Sequence, residues 1–310
     1  MNKQLLFIKF PILFPIIYGS VLYIFPQYET ELILITILLL AETHFGATWP
    51  FFLSKSNIEH ILNDKIKLFF FPVLIVFLSL FGFFFFKNLF LMIFFAANIY
   101  HVTRQSFGVC KLYTKNNEEV NYQEKLIYIF NFIFFIIAFF RFYYPVFDNL
   151  DLFYLNLLVL LLIFSTCALY LHKFKFSENF LTFLTGIIIF YPTCFVVNPV
   201  HAIIMGVTMH YSQYLYLTSF VVENRNKDYY LNTGKKTNIF SNFLFVIIIY
   251  SIIMTFFSTF GKNQNLSLSN LIIIPIIGQM LHFYLDSQLW KFSIKHNRDN
   301  VLKYIQRIIN

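Results

Sequence analysis

The chain has 310 residues, of which 58% are hydrophobic, 22% aromatic and only 12% charged. About 25% charge is usual for soluble domains, so a soluble globular fold is excluded. The apolar runs approach or exceed the ~20 residues that span a bilayer and do not alternate, which excludes a transmembrane barrel. The net charge of +8 is carried mainly by short loops beside apolar segments, where it marks topology and gives no support to nucleic-acid binding.

In chain order, the apolar pattern predicts an all-α polytopic bundle of nine or ten spans. They are residues 5–25, 31–52, 68–86, 88–112, 126–147, 152–172, 180–197, 199–221, 238–260 and 268–290. The first segment carries Lys3 and Lys9 without a small-residue cleavage site, so it reads as a retained helix. The eighth opens at Asn198-Pro199, and proline suits a first helical turn. Lysine and arginine place both termini inside. Lys55, Lys65, Lys67, Lys111, Lys115, Lys125, Lys173, Lys175, Arg225, Lys227, Lys235 and Lys236 fall on one side, and Lys87, Arg141 and Lys262 on the other, with Asp148 and Asp151 in an outer loop. Residues 1–310 read as one integral membrane domain, with 291–310 a basic amphipathic tail on the cytoplasmic side. A bacterial inner membrane is the expected location. The cysteines Cys110, Cys167 and Cys194 lack CxxC spacing and read as inert buried thiols.

Four spans carry a histidine with polar neighbours: Glu42-Thr43-His44, His101 with Arg104 and Gln105, His210 with Gln213, and Gln279 with His282 and Asp286. The histidines sit 11 to 14 residues into spans that run in the same direction. At 1.5 Å per residue this is a spread of about 4–5 Å in depth. An ionisable side chain in hydrocarbon is costly and marks function, and imidazole is the commonest metal ligand. His44, His101, His210 and His282 are therefore the candidate metal ligands. Helical spacing puts Arg104 and Gln105 with His101, Gln213 with His210, and Gln279 and Asp286 with His282. Arg104, Gln105 and Asp286 are the candidate catalytic or substrate-orienting groups. Glu42, Gln213 and Gln279 are candidate partners of the ligands' second nitrogens. His201 is a further possible ligand, while His60 and His296 are expected to be solvated. Gly46, Gly108, Gly206 and Gly278 lie near the histidines, where small residues permit close helix approach.

An all-imidazole set suits iron, zinc, copper or nickel and disfavours iron–sulfur clusters. Non-haem Fe(II) would activate O2, zinc would activate water, and a bis-histidine haem would carry electrons. A proton-coupled transporter is the competing class, since intramembrane His, Arg and Asp also form proton relays. Membrane lipids surround any such chain, and its composition leaves the oligomeric state open.

The blocks Thr43-His44-Phe45-Gly46-Ala47, His101 with Arg104, Gln105 and Gly108, His201 with His210, and HFYLD from His282 to Asp286 resemble those of the Brp/Blh family of membrane β-carotene 15,15'-dioxygenases. The resemblance rests on short motifs and covers about 240 of the 310 residues. It implies one non-haem iron held by His44, His101, His210 and His282, with O2 delivered to a hydrophobic, carotenoid- or lipid-like substrate that enters from the bilayer.

Overall fold

The computed structural model describes residues 4–144, 152–235, 242–263 and 269–309. Lys3, Asp148, Asp151 and Lys236 lie outside the described residues. Those described are helical, with no strand among them. After a short turn at Leu5–Lys9, the helices are α1 (Leu13–Ile24), α2 (Pro26–Phe52), α3 (Lys55–Asn63), α4 (Ile66–Phe85), α5 (Lys87–Tyr113) and α6 (Asn117–Tyr143). They continue as α7 (Leu152–Phe174), α8 (Glu178–Ile188), α9 (Pro199–Thr233), α10 (Phe243–Asn263), α11 (Ile273–Leu289) and α12 (Lys303–Ile309). Among them α2, α4, α6 and α7 are long and apolar enough to cross a membrane.

Local chemistry fixes several helix ends. Asn116 caps α6, its side-chain oxygen accepting from the Glu118 N–H at 2.9 Å. Pro199 opens α9, and the Asn198 side chain accepts from the Val200 N–H at 2.9 Å. The apolar run 180–197 is not one helix. It ends as an α-helix at Ile188, and Pro192 sits in a short 3-10 turn over Tyr191–Cys194, because a proline nitrogen has no N–H to continue the ladder.

The chain forms two compact units, Met1–Ile33 with Asn98–Gln213, and Leu34–Ala97 with Tyr214–Asn310. Within the first unit α6 and α8 are tied by a buried amide. Asn131 Nδ2 donates to the carbonyls of Ile127 and Gly186 at 2.9 and 3.0 Å. A Cβ at Gly186 would meet Ile127 Cδ1 at 2.8 Å, so the end of that side chain would have to shift. A second network joins Thr114, Glu119, Gln123 and Tyr170, with Gln123 Nε2 donating to the Tyr170 hydroxyl at 2.9 Å.

Within the second unit the apolar centre includes Phe83 of α4, Phe90 of α5, and Ile273 and Ile276 of α11. Tyr250 of α10 lies against Gly46 of α2 and Gly278 of α11, and the Ser251 hydroxyl donates to the Leu38 carbonyl. The C-terminal tail buries Val301, Tyr304 and Ile305 within this unit, while Lys303 and Arg307 are exposed. Arg307 pairs with Asp228 at 3.0 Å and Lys303 reaches the same carboxylate at 3.7 Å. The hydrogen bond from Arg307 holds the Asp228 carboxyl below the usual carboxylate range.

Candidate histidine sites

The second unit contains a buried polar cluster around His44 of α2 and His282 of α11, each 1% exposed. Their ring centroids are 4.5 Å apart at 68°, and they offer ring nitrogens within 4.8 Å of each other. The Tyr214 ring lies 4.4 Å from His44 and 5.4 Å from His282. Phe45 packs on both imidazoles at 5.1 Å.

Asp286, one helical turn after His282, is 2% exposed and accepts two hydroxyl protons at Oδ1. Thr48 donates at 3.0 Å and Tyr214 at 2.8 Å. These bonds are what a carboxylate in this setting requires, because a buried charge is tolerated only when it is hydrogen-bonded. Thr48 Oγ1 also lies 2.6 Å from His282 Nδ1 and 3.2 Å from the Tyr214 hydroxyl. With Asp286 ionised and accepting the hydroxyl protons of Thr48 and Tyr214, the Thr48 oxygen can accept from His282 Nδ1. His282 Nε2 lies 3.7 Å from Asp286 Oδ2. An imidazole whose second nitrogen is held by a hydroxyl–carboxylate chain is the usual support for a metal-ligating histidine.

Two residues before His44, Glu42 is 1% exposed and its Oε1 accepts from Gln279 Nε2 at 3.5 Å. The pair joins α2 to α11, and Tyr250 lies within electrostatic reach of Glu42.

The first unit holds the other pair. His101 of α5 and His210 of α9 are 7% and 1% exposed, with centroids 5.9 Å apart in an edge-on arrangement. Gln105, one turn on, is half-buried. Arg104 is exposed and its charge acts on Tyr128 of α6. Arg104 therefore does not share the buried face of His101: a three-residue step rotates the side chain about 60° off that face, and the residue is exposed there. Gln213 is 1% exposed and donates to the Ile8 carbonyl at 3.1 Å, tying α9 to the N-terminal turn.

His201 has a different assignment from a metal ligand. It is 1% exposed, its Nδ1 lies 2.5 Å from the Tyr18 hydroxyl, and its Nε2 lies 2.8 Å from Glu29 Oε1. Both ring nitrogens are committed, and Asn198 donates to the same carboxylate at 2.9 Å. His60 and His296 are not independent solvated groups either. Their rings stack at 4.2 Å and 18°.

Thr48 and Tyr214 were not among the candidates from the sequence, although each follows a candidate histidine by one helical turn, His44 and His210 respectively. No family model, curated protein or solved structure matches the chain.

Proposed function

We propose that the chain is an integral-membrane metalloprotein whose imidazoles bind a transition metal, with non-haem Fe(II) the assignment, zinc and haem being the alternatives. His44 and His282 are the principal ligands, and His101 and His210 are carried as the second candidate pair. The observation that supports this reading is a pair of buried imidazoles whose ring nitrogens lie within 4.8 Å, one of them tied through Thr48 to Asp286. The donor set fits a borderline metal: imidazole and carboxylate, with no thiolate in contact.

When bound, ferrous iron would supply O2 chemistry toward a C=C or C–H bond of a lipid-soluble substrate, the reaction class that the resemblance to membrane carotenoid dioxygenases implies. The chain's own residues do the rest. Asp286 and Thr48 hold the tautomer and orientation of His282, and Tyr214 anchors Asp286. Phe45 and Tyr214 wall the imidazoles with aromatic faces and exclude water. The reading includes ten spans with both termini inside, a bacterial inner membrane, and lateral entry of the substrate from the bilayer.

The test is O2 uptake by protein reconstituted with Fe(II) in lipid nanodiscs, using a polyene such as β-carotene as probe. Substrate-dependent uptake is expected to fall at least about 100-fold in His44→Ala, as removal of a ligand to a reactive ion requires. Uptake in that variant equal to wild type would sink the proposal.

A further inference from the structure

A second buried charge in the second unit belongs to neither histidine pair. Arg225 of α9 is only 6% exposed. Its Nη2 donates to the carbonyls of Pro50 and Phe51, both at 3.2 Å, and its guanidinium carbon lies 5.4 Å from the Phe51 ring centre. Those carbonyls are in the last turn of α2, so Nη2 serves as a helix cap. Nε and Nη1 are buried and have no hydrogen-bond acceptor among the described residues. Three N–H groups of a fixed cation are thus enclosed without a partner, and a guanidinium does not escape the cost by losing its proton.

Among the described residues no ion pair compensates it. The nearby acid Asp228 is taken by Arg307 and Lys303, whose cationic groups also lie over the Tyr304 ring at 5.0 and 5.3 Å. Arg225 acts electrostatically on Tyr304 and His296. His296 is committed through Nε2 to Asn57 Oδ1 at 2.7 Å and through Nδ1 to the Asn300 amide at 3.3 Å. Asn57 in turn donates to the Phe51 carbonyl at 2.8 Å. This arrangement braces the peptide groups that Arg225 caps and adds no negative charge. Burial pushes the Arg225 guanidinium down to about 10, still above physiological pH.

We propose that Arg225 anchors a binding site for a phosphate group, with Nε and Nη1 donating to its anionic oxygens. An oxyanion supplies both the missing acceptors and the missing charge, and arginine is the side chain best shaped for it. An ordered water would supply an acceptor but no charge. The phosphate could come from the headgroup of an anionic phospholipid or from a free phosphate ion. The basic residues Lys303 and Arg307 beside the site favour either source equally.

The full-length protein in detergent micelles provides the test, through its thermal unfolding midpoint against increasing phosphatidylglycerol, phosphatidylcholine, or sodium phosphate matched with sodium chloride. A rise with phosphatidylglycerol alone identifies a headgroup, and a rise with inorganic phosphate identifies a free ion. In either case Arg225→Gln is expected to weaken the apparent affinity at least about 10-fold, since both charge-assisted hydrogen bonds are lost. If Arg225→Gln is not recovered folded, Arg225→Lys decides, with at least about 3-fold weakening expected from loss of the fork. No rise with phosphatidylglycerol or phosphate in the wild type, an equal rise with phosphatidylcholine, or wild-type affinity in the folded variants would overturn the proposal. None of these outcomes depends on whether the histidines hold a metal.

Discussion

His282→Ala is expected to lose bound metal outright, and Asp286→Asn to weaken metal binding by about 10- to 100-fold while leaving a folded protein. The two effects differ because the residues act differently. In the proposed site His282 would supply the ligating nitrogen, whereas Asp286 would act through Thr48 to orient the ring. Asp286→Asn replaces one carboxylate oxygen with an N–H group. An amide nitrogen at the Oδ1 position would face the donating Thr48 and Tyr214 hydroxyls and break the proton order. An amide oxygen there keeps the contacts but loses the charge that raises the basicity of the imidazole. Thr48 is the intermediate link, so Thr48→Val belongs to the Asp286→Asn class. The measurement is competition against a chelator of known affinity, read by metal content. Unchanged affinity in Asp286→Asn would remove the assigned role of the hydroxyl–carboxylate chain.

The second large effect concerns packing. Gly206 of α9 faces the backbone of Ile189 in the first unit. A Cβ at this position would run into the Ile189 carbonyl oxygen, with the carbonyl carbon at 3.0 Å and Pro192 Cδ at 3.3 Å. The obstacle is backbone braced by the Pro192 turn, so relief requires moving the chain. Gly206→Ala is expected to destabilise the protein by about 3 kcal/mol, the upper part of the usual overpacking range. Gly108 is the control. A Cβ there meets nothing within 4 Å, and alanine in a helix interior is favoured over glycine by about 1 kcal/mol. Gly108→Ala is therefore expected to be neutral or stabilising. Helical circular dichroism during thermal unfolding in detergent separates the two variants.

These two glycines show what sequence can and cannot convey. Both lie near a candidate histidine and both read as close-approach residues, but only Gly206 has a neighbour to approach. Hydropathy locates helices because burial in lipid imposes a long apolar run on each. It does not reveal which side of a helix faces protein. Arg104 illustrates the same limit. Its spacing from His101 admits a shared face, yet it lies on the exposed side of α5. The spacing of His282 and Asp286 was informative because a four-residue step returns almost to the same line, and both are buried.

The partners of the site were harder to read. Thr48 and Tyr214 are common residue types in apolar helices and carry no charge to draw notice. Their role depends on α2, α9 and α11 bringing hydroxyls to one carboxylate, a tertiary fact. His201 shows the converse. The resemblance, whose third block carries two histidines, made His201 a possible ligand, but Tyr18 and Glu29 of the N-terminal segment commit both of its nitrogens. Nothing in the local pattern around His201 indicates partners more than 170 residues away.

Elemental analysis of the purified wild-type protein, with its optical spectrum, bears most directly on the metal proposal. Stoichiometric iron without a Soret band is expected, lost on changing His282 to Ala. A protein that binds no transition metal after reconstitution with Fe(II), zinc or haem would contradict it.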